Sequence, residues 1–178
     1  TQESQPLAEI VRVTNKYSSN MMARSLVLAI AAEKSGTPAT TAAGEAAILD
    51  WLSSRGLEFP ELVIGNGSGL SREARISGDS MARMLVGAWH SRFAPEFLTS
   101  LSLGGLDGTL EKRFQNVNDP SRIRMKTGTL RNVSSIAGYV GGDSGKTYAV
   151  VIFVNHPGVQ NGTGETIQAA VIDWVLRQ

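Results

Sequence analysis

Ile123-Arg124-Met125-Lys126-Thr127-Gly128-Thr129-Leu130 reads as one extended strand, and the rest of the chain is read outward from it. It sets an ammonium, a hydroxyl and a residue without a Cβ side by side at Lys126, Thr127 and Gly128. Such a row can clamp an anionic substrate end while the substrate backbone lies close alongside. Gly128 also lets the next backbone N–H, that of Thr129, point into the space a substrate would fill. A Lys-Thr-Gly triplet is expected by chance only about 0.04 times in a chain of this composition, a low false-positive rate for a short motif. The plainer reading is a strand that ends in a turn.

Two further strands follow, 133–141 and 147–154, joined by short connections that include Gly141-Gly142-Asp143-Ser144-Gly145. Short links predict an antiparallel meander. A closing helix from about Thr163 to Arg177 is predicted to cover the sheet with Ile167, Ala170, Val171, Trp174 and Val175. The last strand, Tyr148 to Val154, is apolar on both faces, the pattern of a covered central strand, although a meander leaves it at an edge. The expectation is that part of the sheet comes from sequence absent here, or that a second chain pairs with this edge.

Upstream the pattern is helical. Pro6 to Thr14 reads as a short helix, Met21 to Lys34 as a helix apolar almost all round and hence buried, and 40–55 as a third helix closed by Gly56. Leu62-Val63-Ile64 reads as a short strand running into the loop Gly65-Asn66-Gly67-Ser68-Gly69-Leu70-Ser71-Arg72. Ser77 or Asp79 caps a helix to about Arg92 with Met81, Met84, Leu85, Ala88 and Trp89 inward, and Pro95 to Leu101 is another short helix. Helices first and strands afterwards predict an α+β domain, a helical region plus an antiparallel sheet with a C-terminal helix.

With 178 residues, 42% of them hydrophobic, the chain has the size of one ordinary domain and can bury a sizeable core. The 17 basic and 16 acidic residues are interspersed, so a net charge of +1 offers no footprint for nucleic acid. The absence of cysteine excludes disulfides and thiolate metal sites and leaves the compartment open. No apolar stretch is long enough to span a bilayer, and the start at Thr1 suggests a processed product or a piece of something longer.

Lys-Thr-Gly on a strand, with Ser18-Ser19-Asn20 ahead of a helix 106 residues earlier (126 − 20), resembles the signature pair of the penicillin-recognising serine enzymes. Asn66-Gly67-Ser68-Gly69-Leu70-Ser71-Arg72 and Leu106-Asp107-Gly108-Thr109-Leu110, which lie between them, narrow the resemblance. They look like segments of the class C low-molecular-mass penicillin-binding proteins, the D-alanyl-D-alanine carboxypeptidase/endopeptidase family of the peptidase S13 type. The resemblance covers only the C-terminal part of that family, so residues 1–178 are expected to be the C-terminal part of a catalytic domain of β-lactamase/transpeptidase-like fold, incomplete here. Two departures stand out. Position 66 is Asn where the family has Asp, and the chain contains no Ser-x-x-Lys; the nearest string is Thr109-Leu110-Glu111-Lys112. The nucleophile is therefore expected on the missing N-terminal portion, leaving this chain inactive by itself.

The resemblance implies roles residue by residue. Ser18 relays a proton, Asn20 hydrogen-bonds the substrate's backbone amide and Lys126 adds positive potential, while Thr127, Gly128 and Thr129 bind the terminal carboxylate and one oxyanion. It implies hydrolysis of peptidoglycan stem peptides through an acyl-enzyme, β-lactam binding, no metal or organic cofactor, and an exported, periplasmic location. A non-catalytic module that holds a cell-wall peptide or a partner is the alternative from another class. The other site candidates fare worse: Ser18 also fits a helix N-cap, His90 and His156 lack a Gly-x-Ser-x-Gly elbow, and Thr1 sits in a polar lead that reads as a frayed tail rather than an N-terminal nucleophile.

Overall fold

The structure, a computed structural model, describes residues 4–178; Thr1 lies outside the described residues. In chain order the elements are α1 (Leu7–Lys16), α2 (Asn20–Ser35), α3 (Thr41–Ser54), α4 (Gly78–Trp89), α5 (Ala94–Ser100), β1 (Ser102–Leu103), β2 (Ile123–Leu130), β3 (Val133–Gly141), β4 (Thr147–Asn155) and α6 (Thr163–Leu176). They form two compact units, one comprising the chain up to Ser18 together with Met84–Gln178, the other Ser19–Arg83.

The first unit carries the sheet. Its strands run in the order β1-β2-β3-β4, all antiparallel, with Ile123 opposite Val140 and Leu130 opposite Val133 across β2 and β3. β1, two residues long, was not anticipated; it is too short to leave a periodic signal. β4 is an edge strand, and Val150 is its one buried residue, at 7% exposure, so the apolar pattern of 148–154 is not used up by this sheet. On one face Ile123, Met125, Ile136, Val140 and Val150 pack with Leu110 beneath Ile172, Val175 and Leu176 of α6. Each such side chain contributes about 1.5–3 kcal/mol by leaving water.

α6 is rotated from the expected setting. Of the five residues predicted to face the sheet only Val175 is buried, while Ile167, Val171 and Trp174 are 42%, 37% and 59% exposed. Polar satisfaction sets the rotation. The fully buried Gln168 donates through Nε2 to Ser134 Oγ at 2.9 Å and accepts from Arg113 at 3.0 Å, which turns its own helix face inward. The other sheet face holds Tyr139, whose hydroxyl donates to Leu85 O at 2.6 Å and whose ring lies 5.3 Å from that of Trp89 and 6.4 Å from that of Phe97. Burial pushes that phenol up to about 12. Trp89, expected inward, stacks on Tyr139 yet stays 41% exposed, because α4 ends there and not at Arg92. α1 packs on α5, where Asn15 Nδ2 donates to Ser100 Oγ at 2.8 Å.

In the second unit α2 and α3 form a helix pair, capped by Ser19 and Thr40, whose side chains accept from Met22 N and Ala43 N. Only Val27 and Ala31 of α2 are buried, and Met21 is 79% exposed, so the expectation of a helix buried all round is corrected: within this unit α3 and the glycine loop cover one side of it. The predicted strand at 62–64 is reduced to a single bridge between Val63 and Arg75. The chain there is held instead by Glu45 Oε1, which accepts from Ile64 N at 2.6 Å and Gly65 N at 3.1 Å. Gly65, Gly67 and Gly69 all have positive φ, and a Cβ on Gly67 would meet Val27 Cγ2 at 2.3 Å.

Candidate active site

β2 presents Lys126 partway along its length. β1 pairs only with Arg124 and Met125, so from Lys126 onward β2 has a strand neighbour on the β3 side alone. The Lys126 ammonium donates to Ser18 Oγ at 2.7 Å and to Thr127 O at 2.7 Å. Ser18 reaches it because α1 docks on α5 and the chain then turns through Ser18 in the left-handed region, φ 54. That is a costly conformation for a residue with a Cβ, of the kind that collects at functional sites. Capping is a separate matter: Ser19, not Ser18, caps α2, with Oγ accepting from Met22 N at 3.4 Å. The Ser18 hydroxyl is thereby left to Lys126. Partial burial lowers the Lys126 pKa, since water no longer solvates the ammonium in full. A hydroxyl beside an ammonium that yields its proton more readily than usual is suited to proton transfer.

Thr127 turns its hydroxyl to Thr109, donating to Thr109 Oγ1 at 2.9 Å. Gly128 is opposite Ser135, whose Oγ donates to Gly128 O at 3.1 Å; a Cβ at position 128 would lie 2.5 Å from that oxygen. Thr129, exposed, pairs with Ser134. Asn20 belongs to the second unit, where its Nδ2 donates to Ser68 O at 2.5 Å, and Ser68 is held in turn by Asn66 Oδ1, which accepts from its backbone N–H at 3.0 Å and its hydroxyl at 2.7 Å. A neutral Asn66 makes this turn without a charge.

Residues 107–110 do more than connect. Asp107 Oδ2 accepts from the buried Lys16 ammonium at 2.5 Å, and its Oδ1 accepts from Leu103 N at 2.8 Å. Lys16 also donates to Leu101 O at 3.0 Å, so this partly buried ion pair is supplied with hydrogen bonds. Gly108 has φ 54, and a Cβ there would sit 2.4 Å from Ser102 Oγ and 2.6 Å from Lys16 O; only glycine fits. Thr109 meets Thr127, and Leu110 is fully buried in the core. Lys16, Ser102, Asp107 and Thr109 were not expected as site residues. The signals that could have found them are the position of Lys16 two residues before Ser18 and the Asp-Gly-Thr-Leu string itself.

His90 and His156 do not join this cluster: His90 stands beside Trp89 at the end of α4, and His156 Nδ1 accepts from Gly158 N at 3.0 Å. Among the described residues no three His, Asp or Glu side chains gather as a metal site, and no helix is long and apolar enough to cross a membrane.

The chain is 27% identical over 173 residues to the D-alanyl-D-alanine carboxypeptidase DacB of Haemophilus influenzae, covering 96% of this chain and 36% of that one. It is 32% identical over 160 residues to a D-alanyl-D-alanine carboxypeptidase of an Actinomadura species, covering 87% and 30%. It thus spans about a third of the length of these curated relatives. Penicillin binding protein 4 of H. influenzae, solved in complex with a β-lactam, superposes with a TM-score of 0.89 at 24% identity, over 98% of this chain and 42% of that one, which shows a shared fold. The profile of one family matches residues 1–178 throughout, and the chain belongs to that family, D-Ala-D-Ala carboxypeptidase 3 (S13).

Proposed function

We propose that this chain supplies the Ser-x-Asn and Lys-Thr-Gly portion of a serine D-alanyl-D-alanine carboxypeptidase/endopeptidase, which acts on peptidoglycan stem peptides through an acyl-enzyme. The observation that carries the reading is the 2.7 Å hydrogen bond from Lys126 to Ser18, which joins residues of the two motifs 108 positions apart. Ser18 passes the proton released by the attacking serine to the leaving nitrogen of D-alanine. Lys126 stabilises the charge that Ser18 carries in transit, Asn20 hydrogen-bonds the backbone amide, Thr127 takes the terminal carboxylate, and the Thr129 N–H donates to the oxyanion beside the side-chain-free Gly128. No metal or organic cofactor enters this chemistry. The attacking serine belongs to a Ser-x-x-Lys outside these 178 residues, and the same N-terminal sequence, or another chain, pairs with the edge of β4 and covers the exposed apolar face of α6. The substrate places the enzyme outside the inner membrane, in the periplasm.

Intact-mass measurement after incubation with a penicillin tests this reading. The expected result is no adduct on residues 1–178 alone, and a one-to-one adduct when the upstream sequence of the same gene is present, on the added part. An adduct on this chain alone would mean that the nucleophile lies within it. No adduct in the full-length protein would leave the chain as a module that binds without acylating.

A further inference from the structure

Thr127 carries one hydroxyl hydrogen, and in this structure that hydrogen is directed to Thr109 Oγ1 at 2.9 Å. Behind Thr109 stands a second hydroxyl, Ser102 Oγ, 3.4 Å away and fully buried. Ser102 Oγ accepts from Thr109 N at 3.2 Å, so the backbone of Thr109 is fixed to the group that its side chain meets. The three hydroxyls form a line from the buried β1 strand to the carboxylate clamp. Its inner end is tied down by several contacts: Lys16 and Asp107 hold the loop that begins at Asp107, and Gly108 packs against Ser102 and Lys16 O without room for a Cβ.

We propose that Thr109 is a positioning residue for Thr127, which reverses its hydrogen bond when a carboxylate binds; this rests on the reading of Thr127 as the carboxylate ligand. To bind the anion, Thr127 must aim its single hydrogen at a carboxylate oxygen, and its own oxygen then loses the bond to Thr109. Thr109 restores it by donating, and Ser102 can donate to Thr109 in turn. Each hydroxyl is both donor and acceptor, so the line reverses without moving a heavy atom, Ser102 giving up the long bond it donates to Lys16 O at 3.5 Å, and the polarised chain strengthens the terminal bond to the anion. Without the Thr109 hydroxyl, Thr127 would keep no partner on that side, and its rotamer would be free to leave the carboxylate.

The test uses the full-length enzyme with two substrates, an acylated peptide ending in D-Ala-D-Ala as the free acid and the same peptide as its terminal carboxamide. Thr109→Val removes the hydroxyl and keeps the shape, and Thr109→Ser keeps the hydroxyl. For wild type the ratio of kcat/KM, acid over amide, is above one; Thr109→Val should lower that ratio about tenfold through KM for the acid, the scale of a net hydrogen bond to a charged group, and Thr109→Ser should return it to within about twofold. Melting temperatures of both variants show whether the fold persists. If Thr109→Val lowers kcat/KM for acid and amide by one common factor, or Thr109→Ser fails to restore the ratio, Thr109 is only structural and the proposal is overturned. A wild-type enzyme that hydrolyses neither peptide, or does not distinguish them, would instead overturn the peptidase reading or the role of Thr127, and this proposal with it.

Discussion

Replacing Ser18 in two ways separates its backbone from its hydroxyl. Ser18 sits at φ 54, where a residue with a Cβ is disfavoured by about 1–2 kcal/mol. Ser18→Ala removes the hydroxyl and keeps that strain; Ser18→Gly removes both. Glycine loosens the unfolded chain, which offsets about 0.4–1 kcal/mol of the relief. The net expectation is that Ser18→Gly is more stable than Ser18→Ala by about 0.5–1 kcal/mol. Both variants lose the hydrogen bond from the Lys126 ammonium, about 1.5 kcal/mol at a partly exposed site, so both should melt below wild type, and both should lose activity to the same degree. Differential scanning calorimetry of the full-length protein and its two variants reads the order directly. If Ser18→Ala melts at or above Ser18→Gly, the left-handed turn is not strained and Ser18 is not held there at a cost to the fold.

The lowered pKa of Lys126 fixes a sign: between its depressed folded value and the ordinary value of 10.5 the unfolded chain binds more protons than the folded one, so wild type should gain stability relative to Lys126→Met as pH rises through that window, measured by denaturant titration; a flat difference would refute it. Glu61 is held down to about 2 from 4.5 by the hydroxyls of Ser77 and Ser80 and the Ser77 N–H at 3.0 Å. Its contribution should be present above pH 4.5 and lost as pH falls toward 2, so Glu61→Gln should melt below wild type at pH 7 and together with it near pH 2. Gly108→Ala forces a Cβ against Ser102 Oγ and Lys16 O in the left-handed region and should cost about 2–5 kcal/mol, read as a fall in the urea midpoint; an unchanged midpoint would mean that the loop relaxes freely.

Much of the sheet was legible because its three long strands alternate or run apolar and are joined by short glycine-rich links, signals that act within a few residues. α6 was read in the wrong rotation for a physical reason: periodicity ranks Ile167, Val171 and Trp174 as the buried face, but Gln168 has two polar partners from distant parts of the chain, buried Ser134 and half-buried Arg113, and that satisfaction is invisible to hydropathy. The apolar face then left open, like the apolar pattern of β4, is written in the sequence without a counterpart among the described residues. At the site, Lys126 and Ser18 could be named from short motifs, since each motif compresses a local geometry. Asp107 and Thr109 stand in the Asp-Gly-Thr-Leu string and Lys16 two residues before Ser18, but their joint role, and Ser102 altogether, depend on a loop closing over β1, a strand of two residues with no signature of its own.

The most direct test of the pairing of Ser18 with Lys126 in catalysis is the rate at which full-length wild type and Ser18→Ala are acylated by a labelled penicillin. Wild type should acylate one-to-one on a serine outside residues 1–178, and Ser18→Ala should do so about 10²–10⁴ times more slowly, the usual worth of a positioned proton relay. Acylation of Ser18→Ala at the wild-type rate would contradict the account.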